Sequence, residues 1–260
     1  MKDILLQGIP YDEKSSFLKG ASLAPAIIRD KFWSKSSNTF SESHLDVKES
    51  FDDAGDKKIK DYFEIEKIAQ LHLEKNQRLL TLGGDHSITY PIIRAYSKFY
   101  NSFDILHIDA HPDLYDELDD DKYSHACPFT RIMEKKLINK LIQVGIRTWT
   151  THQIEQAQKY NIAIRDMKNF DVKDIPDSKN DVYISLDIDA FDPAFAPGVS
   201  HHEPGGLTSR QVISIIQSIK TRIIGADIVE YNPKRDVQGI TAALAAKMMK
   251  EILSKMIENN

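Results

Sequence analysis

Short apolar runs recur along the chain: Ile4 to Gly8, Arg78 to Leu82, Phe103 to Asp109, Lys140 to Gly145, Val182 to Ile188 and Ile223 to Ile228. Several are apolar at successive positions instead of alternate ones, which a strand tolerates only when both of its faces are covered. Longer stretches with helical spacing separate them, at Ala24 to Phe32, Lys60 to Asn76, Tyr90 to Tyr100, Thr208 to Ser218 and Gln238 to Glu258. This strand–helix alternation predicts a parallel sheet with helices on both sides. Pro25 sits near a helix start, where its fixed φ costs little. In the last helix Ile240, Leu244, Met248, Ile252 and Met256 fall at core spacing. Residues 34–58 and 114–124 are polar and read as irregular excursions.

Composition narrows the field. With no repeat and 260 residues, one domain over 1–260 is expected. A net charge of −5 argues against a partner held by phosphate neutralisation, so no nucleic acid is expected. No stretch is long and apolar enough for a membrane span or a signal peptide. The single cysteine, Cys127, excludes an internal disulfide framework and fits a reducing cytoplasm.

Three strand ends carry the chemistry. Asp109-Ala-His111-Pro-Asp113 closes the strand from Phe103, and period-two alternation sends Asp109 and His111 out on one face. Ser185-Leu-Asp187-Ile-Asp189-Ala-Phe-Asp192-Pro193 closes another. Its acids lie two residues apart among Leu186, Ile188, Ala190 and Phe191, where mutual repulsion and lost hydration call for a counter-cation. Gly83-Gly84-Asp85-His86 follows a third, and its glycines allow a tight strand-to-helix turn. Parallel sheets place ligands outside the carboxyl ends of their strands. His86, Asp109, His111, Asp113, Asp187 and Asp189 thus form one candidate site for divalent metal.

These motifs, in this order, resemble the ureohydrolase (arginase/agmatinase) family, and the similarity extends to Gly8-Ile-Pro-Tyr, Ala24-Pro-Ala-Ile-Ile-Arg29, Pro204-Gly-Gly-Leu and Glu230-Tyr-Asn-Pro233. The resemblance implies an arginase-like three-layer α/β/α fold with about eight strands. It also implies two manganese ions per chain, with nickel, cobalt or iron as alternatives. One ion would take His86, Asp109, Asp113 and Asp187; the other would take His111, Asp109, Asp187 and Asp189. Asp109 and Asp187 would bridge. Four carboxylates balance two divalent ions, and a bridging hydroxide leaves the site slightly negative, which suits a cationic guanidinium. In the implied mechanism that hydroxide attacks the guanidinium carbon, and collapse releases urea and an amine. Asp113 would pass a proton to the leaving nitrogen, His125 would shuttle protons with solvent and Glu230 would orient the guanidinium.

Further residues take lesser parts. Asp85 and Asp192 read as supports or turn residues, His107 as core or support to the ligands, and Cys127 as a packed thiol; His201-His202-Glu203 reads as the mouth or an exposed loop. The loop after Asp113 holds Asp116, Glu117, Asp119, Asp120 and Asp121 against Lys122, which favours an amine-tailed substrate. On that ground, and on likeness to the agmatinase branch, the expected reaction is agmatine to putrescine and urea. The alternatives are arginase, guanidinobutyrase, guanidinopropionase or formimidoylglutamase activity and, outside catalysis, a metal-bound regulatory binder of guanidino compounds. Relatives of this kind suggest a trimer or hexamer.

Overall fold

The structure, a computed structural model, describes residues 2–175 and 178–259. Among these residues eight strands form one sheet: β1 (Ile4–Ile9), β2 (Phe51–Asp56), β3 (Arg78–Gly83), β4 (Phe103–Ile108), β5 (Lys140–Ile146), β6 (Ala163–Asp166), β7 (Asp181–Asp187) and β8 (Ile223–Val229). Their order is β2-β1-β3-β8-β7-β4-β5-β6, and every pairing is parallel. Among the described residues seven α-helices accompany them: α1 (Ala24–Phe32), α2 (Glu64–Leu73), α3 (Thr89–Tyr96), α4 (Pro128–Glu134), α5 (Thr151–Lys159), α6 (Ser209–Ser218) and α7 (Ile240–Glu258).

Strand side chains alternate between two cores. Ile4 and Leu6 of β1 join α1, α6 and α7 on one side; Leu5 and Ile9 join α2, α3 and α4 on the other. This is the three-layer arrangement that doubly apolar strands demand. The six sequence-read strands all form. The sequence reading missed the two edge strands, β2 and β6. β2 lies inside the stretch expected to be irregular; both are paired on one side only and are largely half-exposed. In α7, Met248, Ile252 and Met256 are buried, whereas Ile240 is 52% exposed: in the first turn Thr241 and Ala242 face the core and Ile240 faces outward. No helix among the described residues is long and apolar enough to cross a membrane.

The four inner neighbours β3, β8, β7 and β4 carry, at their carboxyl ends, His86, Glu230, Asp187 with Asp189, and Asp109 with His111 and Asp113. Adjacent parallel strands thereby bring distant sequence motifs to one edge of the sheet.

Candidate metal centre

The two-residue spacing of the acidic motifs has a local cause. Asp109 Oδ1 accepts from His111 N at 2.6 Å, and Asp187 Oδ1 accepts from Asp189 N at 2.7 Å. Each first carboxylate closes a turn on the amide two residues on, presenting the next side chain beside it. Asp85 does the same for Ser87 N at 3.0 Å, and its other oxygen takes Lys14 N at 2.9 Å. Gly84 serves close approach, not an unusual dihedral: a Cβ there would lie 2.0 Å from Tyr11 O. Asp113 (φ 50°) and Glu230 (φ 64°) hold left-handed backbone, a cost borne where geometry is imposed by the surroundings.

The six expected ligands converge in two groups. His86 Nδ1 lies 3.2 Å from Asp109 Oδ2, 3.1 Å from Asp113 Oδ2 and 3.2 Å from Asp187 Oδ2. His111 Nδ1 lies 3.0 Å from Asp189 Oδ2 and 3.5 Å from Asp109 Oδ1. Asp109 therefore offers one oxygen to each group. Asp187 contacts the His86 group through Oδ2, while its Oδ1 is engaged by Asp189 N.

The proton inventory tests whether a cation fits. Tyr183 OH and Thr89 Oγ1 each donate to Asp227 Oδ2 at 2.9 Å, and Ser185 Oγ donates to Asp227 Oδ1 at 2.7 Å. Ser185 Oγ is then free to accept from His86 Nε2 at 2.9 Å. With Nε2 donating to Ser185, Nδ1 is aimed at three carboxylate oxygens, and that buried atom has no hydrogen-bond partner. Such a cluster takes up positive charge: burial opposes protonation of His86, but Asp109, Asp113 and Asp187 raise its pKa well above the ordinary value, and a metal ion coordinated by Nδ1 and the three oxygens fits the same position. The acids report the same stress. Burial and then Asp109 push the Asp113 carboxyl up to about 6. Burial, then Asp189 and Asp109, drive Asp187 well above the usual carboxylate range. Burial opposes ionisation of Asp109 too, but His107, His111 and His86 outweigh it and hold that carboxyl well below its ordinary value. Carboxylate oxygens with imidazole nitrogens suit manganese-like ions.

Beside this cluster, His125 Nδ1 and His86 N both meet Glu230 Oε1 at 2.9 Å. Burial lowers the His125 pKa, but Glu230 more than reverses this and lifts it to about 9. His125, Glu230, Asp113 and His111 line a cavity of about 280 Å³. His201 lines it as well, whereas His202 turns away to Pro197 O at 2.8 Å. Asp192 holds a turn, accepting from Ala194, Gly205 and Gly206 amides.

The model of the arginase family matches residues 2–254. The chain belongs to the arginase family. Arginase-family enzymes are hydrolases of guanidino C–N bonds and depend on a binuclear metal centre, typically manganese. The chain is 42% identical over 275 residues to "Arginase 1, mitochondrial" of Arabidopsis thaliana, covering 96% of this chain and 80% of that protein. It is 32% identical over 244 residues to an N(1)-aminopropylagmatine ureohydrolase of Thermus thermophilus, covering 88% and 83%. The solved arginase of Medicago truncatula superposes with a TM-score of 0.94 at 40% identity, covering 98% of this chain and 87% of that one. The arginase-like fold expected from the motifs is the fold observed.

The agmatinase branch is not singled out, and the acidic loop lends it no support. Asp116 faces Arg131 at 3.5 Å and His152 at 3.6 Å, and Asp121 pairs with Lys14 at 2.6 Å. Glu117, Asp119 and Asp120 are exposed, and the loop lines the cavity through Tyr115 and Leu118 instead. Sequence order gives the loop's charge but not the direction its side chains take. Reading motif by motif also missed Asp227 and Gln143: one anchors Ser185 and hence His86, the other contacts His107. Their signal, a polar residue inside an apolar strand, is present in β8 and β5.

Proposed function

We propose that this protein is an arginase, hydrolysing arginine to ornithine and urea. The observation that carries the choice is the 40–42% identity to plant arginases over 96% of the chain, against 32% to the aminopropylagmatine enzymes. The cavity wall supports it. Thr148, Thr150, Gln153 and Ser16 line it, neutral groups of types that donate hydrogen bonds to a carboxylate tail. Agmatine lacks that tail.

His86, Asp109, Asp113 and Asp187 would hold one manganese ion, and His111, Asp109, Asp187 and Asp189 the other. When bound, the ions supply positive charge that makes water nucleophilic at neutral pH. Glu230 lines the cavity as a buried carboxylate and orients the guanidinium. Asp113, which lines the cavity beside the cluster, would take the proton released by the attacking water and deliver it to the departing amine nitrogen. His125 restores the protonation state from outside. One domain spans 1–260, works in a reducing compartment such as the cytoplasm, and assembles as a trimer or hexamer.

The test is urea release from arginine, agmatine, guanidinobutyrate and guanidinopropionate by manganese-loaded protein. Arginine should give the highest kcat/KM. Preference for agmatine would return the substrate to the amine-tailed class, and no urea from any compound would favour a binding protein.

A further inference from the structure

Ser16 occupies the ring nitrogen of His125 that Glu230 leaves available. His125 Nδ1 lies 2.9 Å from Glu230 Oε1, and Nε2 lies 2.8 Å from Ser16 Oγ. An ionised carboxylate only accepts, so Nδ1 keeps its hydrogen whether the ring is charged or neutral. The proton that His125 gains and loses is therefore the one on Nε2, and a hydroxyl stands over it.

The segment bearing Ser16 is held on both sides. His125 N donates to Lys14 O at 3.2 Å, and Lys14 N and Ser15 Oγ bond Asp85 Oδ2 at 2.9 and 3.3 Å. Beyond Ser16, the Phe17 ring packs 5.6 Å from that of His201, and Ser200 Oγ donates to Leu18 O at 3.0 Å. His125 is buried, whereas Ser16 is exposed and also lines the cavity. Ser16 therefore stands on the Nε2 side of the ring with its hydroxyl nearer to water than the imidazole is.

We propose that Ser16 is the outer member of a two-membered proton relay, His125–Ser16, in which Glu230 fixes the ring and Ser16 passes protons between Nε2 and either water or the departing amine nitrogen; this rests on the ureohydrolase reading. In the outward step the His125 Nε2–H bond breaks as Oγ accepts that proton. The hydrogen already on Oγ passes to water or to the departing amine nitrogen. Ser16 ends uncharged, and the neutral imidazole keeps Nδ1–H on Glu230. Uptake runs the same exchange in reverse. A hydroxyl can accept and donate at once, which alanine cannot.

Two measurements test the relay in the full chain. In manganese-loaded protein, Ser16→Ala should lower kcat for urea release by about tenfold or more while KM moves less than about twofold, and Ser16→Thr should retain most of the turnover. In metal-free protein, the ¹⁵N resonance of His125 Nε2, assigned with His125→Gln, should shift in Ser16→Ala. Wild-type kcat in Ser16→Ala, or an unmoved Nε2 resonance, overturns the relay alone. A wild-type protein that releases no urea overturns the proposed function and the relay with it.

Discussion

His107 Nε2 lies 2.7 Å from Asp109 Oδ2, two residues along the same strand end. Gln143 Nε2 donates to Pro112 O at 2.6 Å and faces His107 Nδ1 at 3.0 Å, so Nδ1 accepts and the ring's proton is on Nε2, aimed at the carboxylate. Phe129 packs its ring 3.9 Å from that of His107 and prevents it from turning. Replacing His107 by Phe should weaken manganese binding about 10–100-fold, the usual cost of losing a partner of a ligand. Titration calorimetry reads this directly; an unchanged Kd would leave His107 as a packing residue.

The shared position of Asp109 sets a stoichiometry. The His111 ring meets Asp189 Oδ2 and Asp109 Oδ1, whereas His86 meets Asp109 Oδ2, so His111→Ala should hold about one manganese per chain, while Asp109→Asn should lose both. Elemental analysis after dialysis counts the ions. Equal retention in the two variants would contradict the two-group geometry.

Burial, helped by Asp113, pushes the Cys127 thiol up from 9.0 to about 12. Native Cys127 should therefore resist iodoacetamide at pH 8 and react fully only in denaturant. Because the folded-state value is raised, the stabilisation is intact below pH 9 and is lost as pH rises toward 12. Cys127→Ser should show a flatter stability profile over that window, measured by urea unfolding. Rapid native alkylation would show that the thiol is reached without unfolding.

Gly84→Ala tests the turn that presents His86. Its Cβ would meet the Tyr11 carbonyl, a backbone atom that accepts from Asp85 N and has little room to yield. A loss of about 3 kcal/mol in unfolding free energy is expected, with manganese affinity falling as His86 shifts. Wild-type stability would mean the turn accommodates a side chain.

The inner strands were legible because continuous apolar runs have one structural use. The edges were not. β2 reads Phe51-Asp-Asp-Ala-Gly-Asp and β6 only Ala163-Ile-Arg-Asp, segments that pair on one side and keep polar residues in water. α5 was hidden similarly, since its buried positions include Gln153 and Gln156, and its start is set by a Thr150–Gln153 capping box instead of an apolar stripe. At the site, acids two apart at strand ends announced themselves. Ser16 did not, because nothing along the chain links it to His125, 109 residues away. The loop acids misled for the complementary reason: charge was visible, but the partners Arg131, His152 and Lys14 that draw Asp116 and Asp121 aside were not.

With one oxygen turned to each histidine, Asp109 couples the two halves of the centre mechanically. A rotation of that carboxylate improving one half worsens the other, so neither ion's environment can be adjusted in isolation. Occupation of the first half freezes the rotation the second depends on, and loading should accordingly be cooperative.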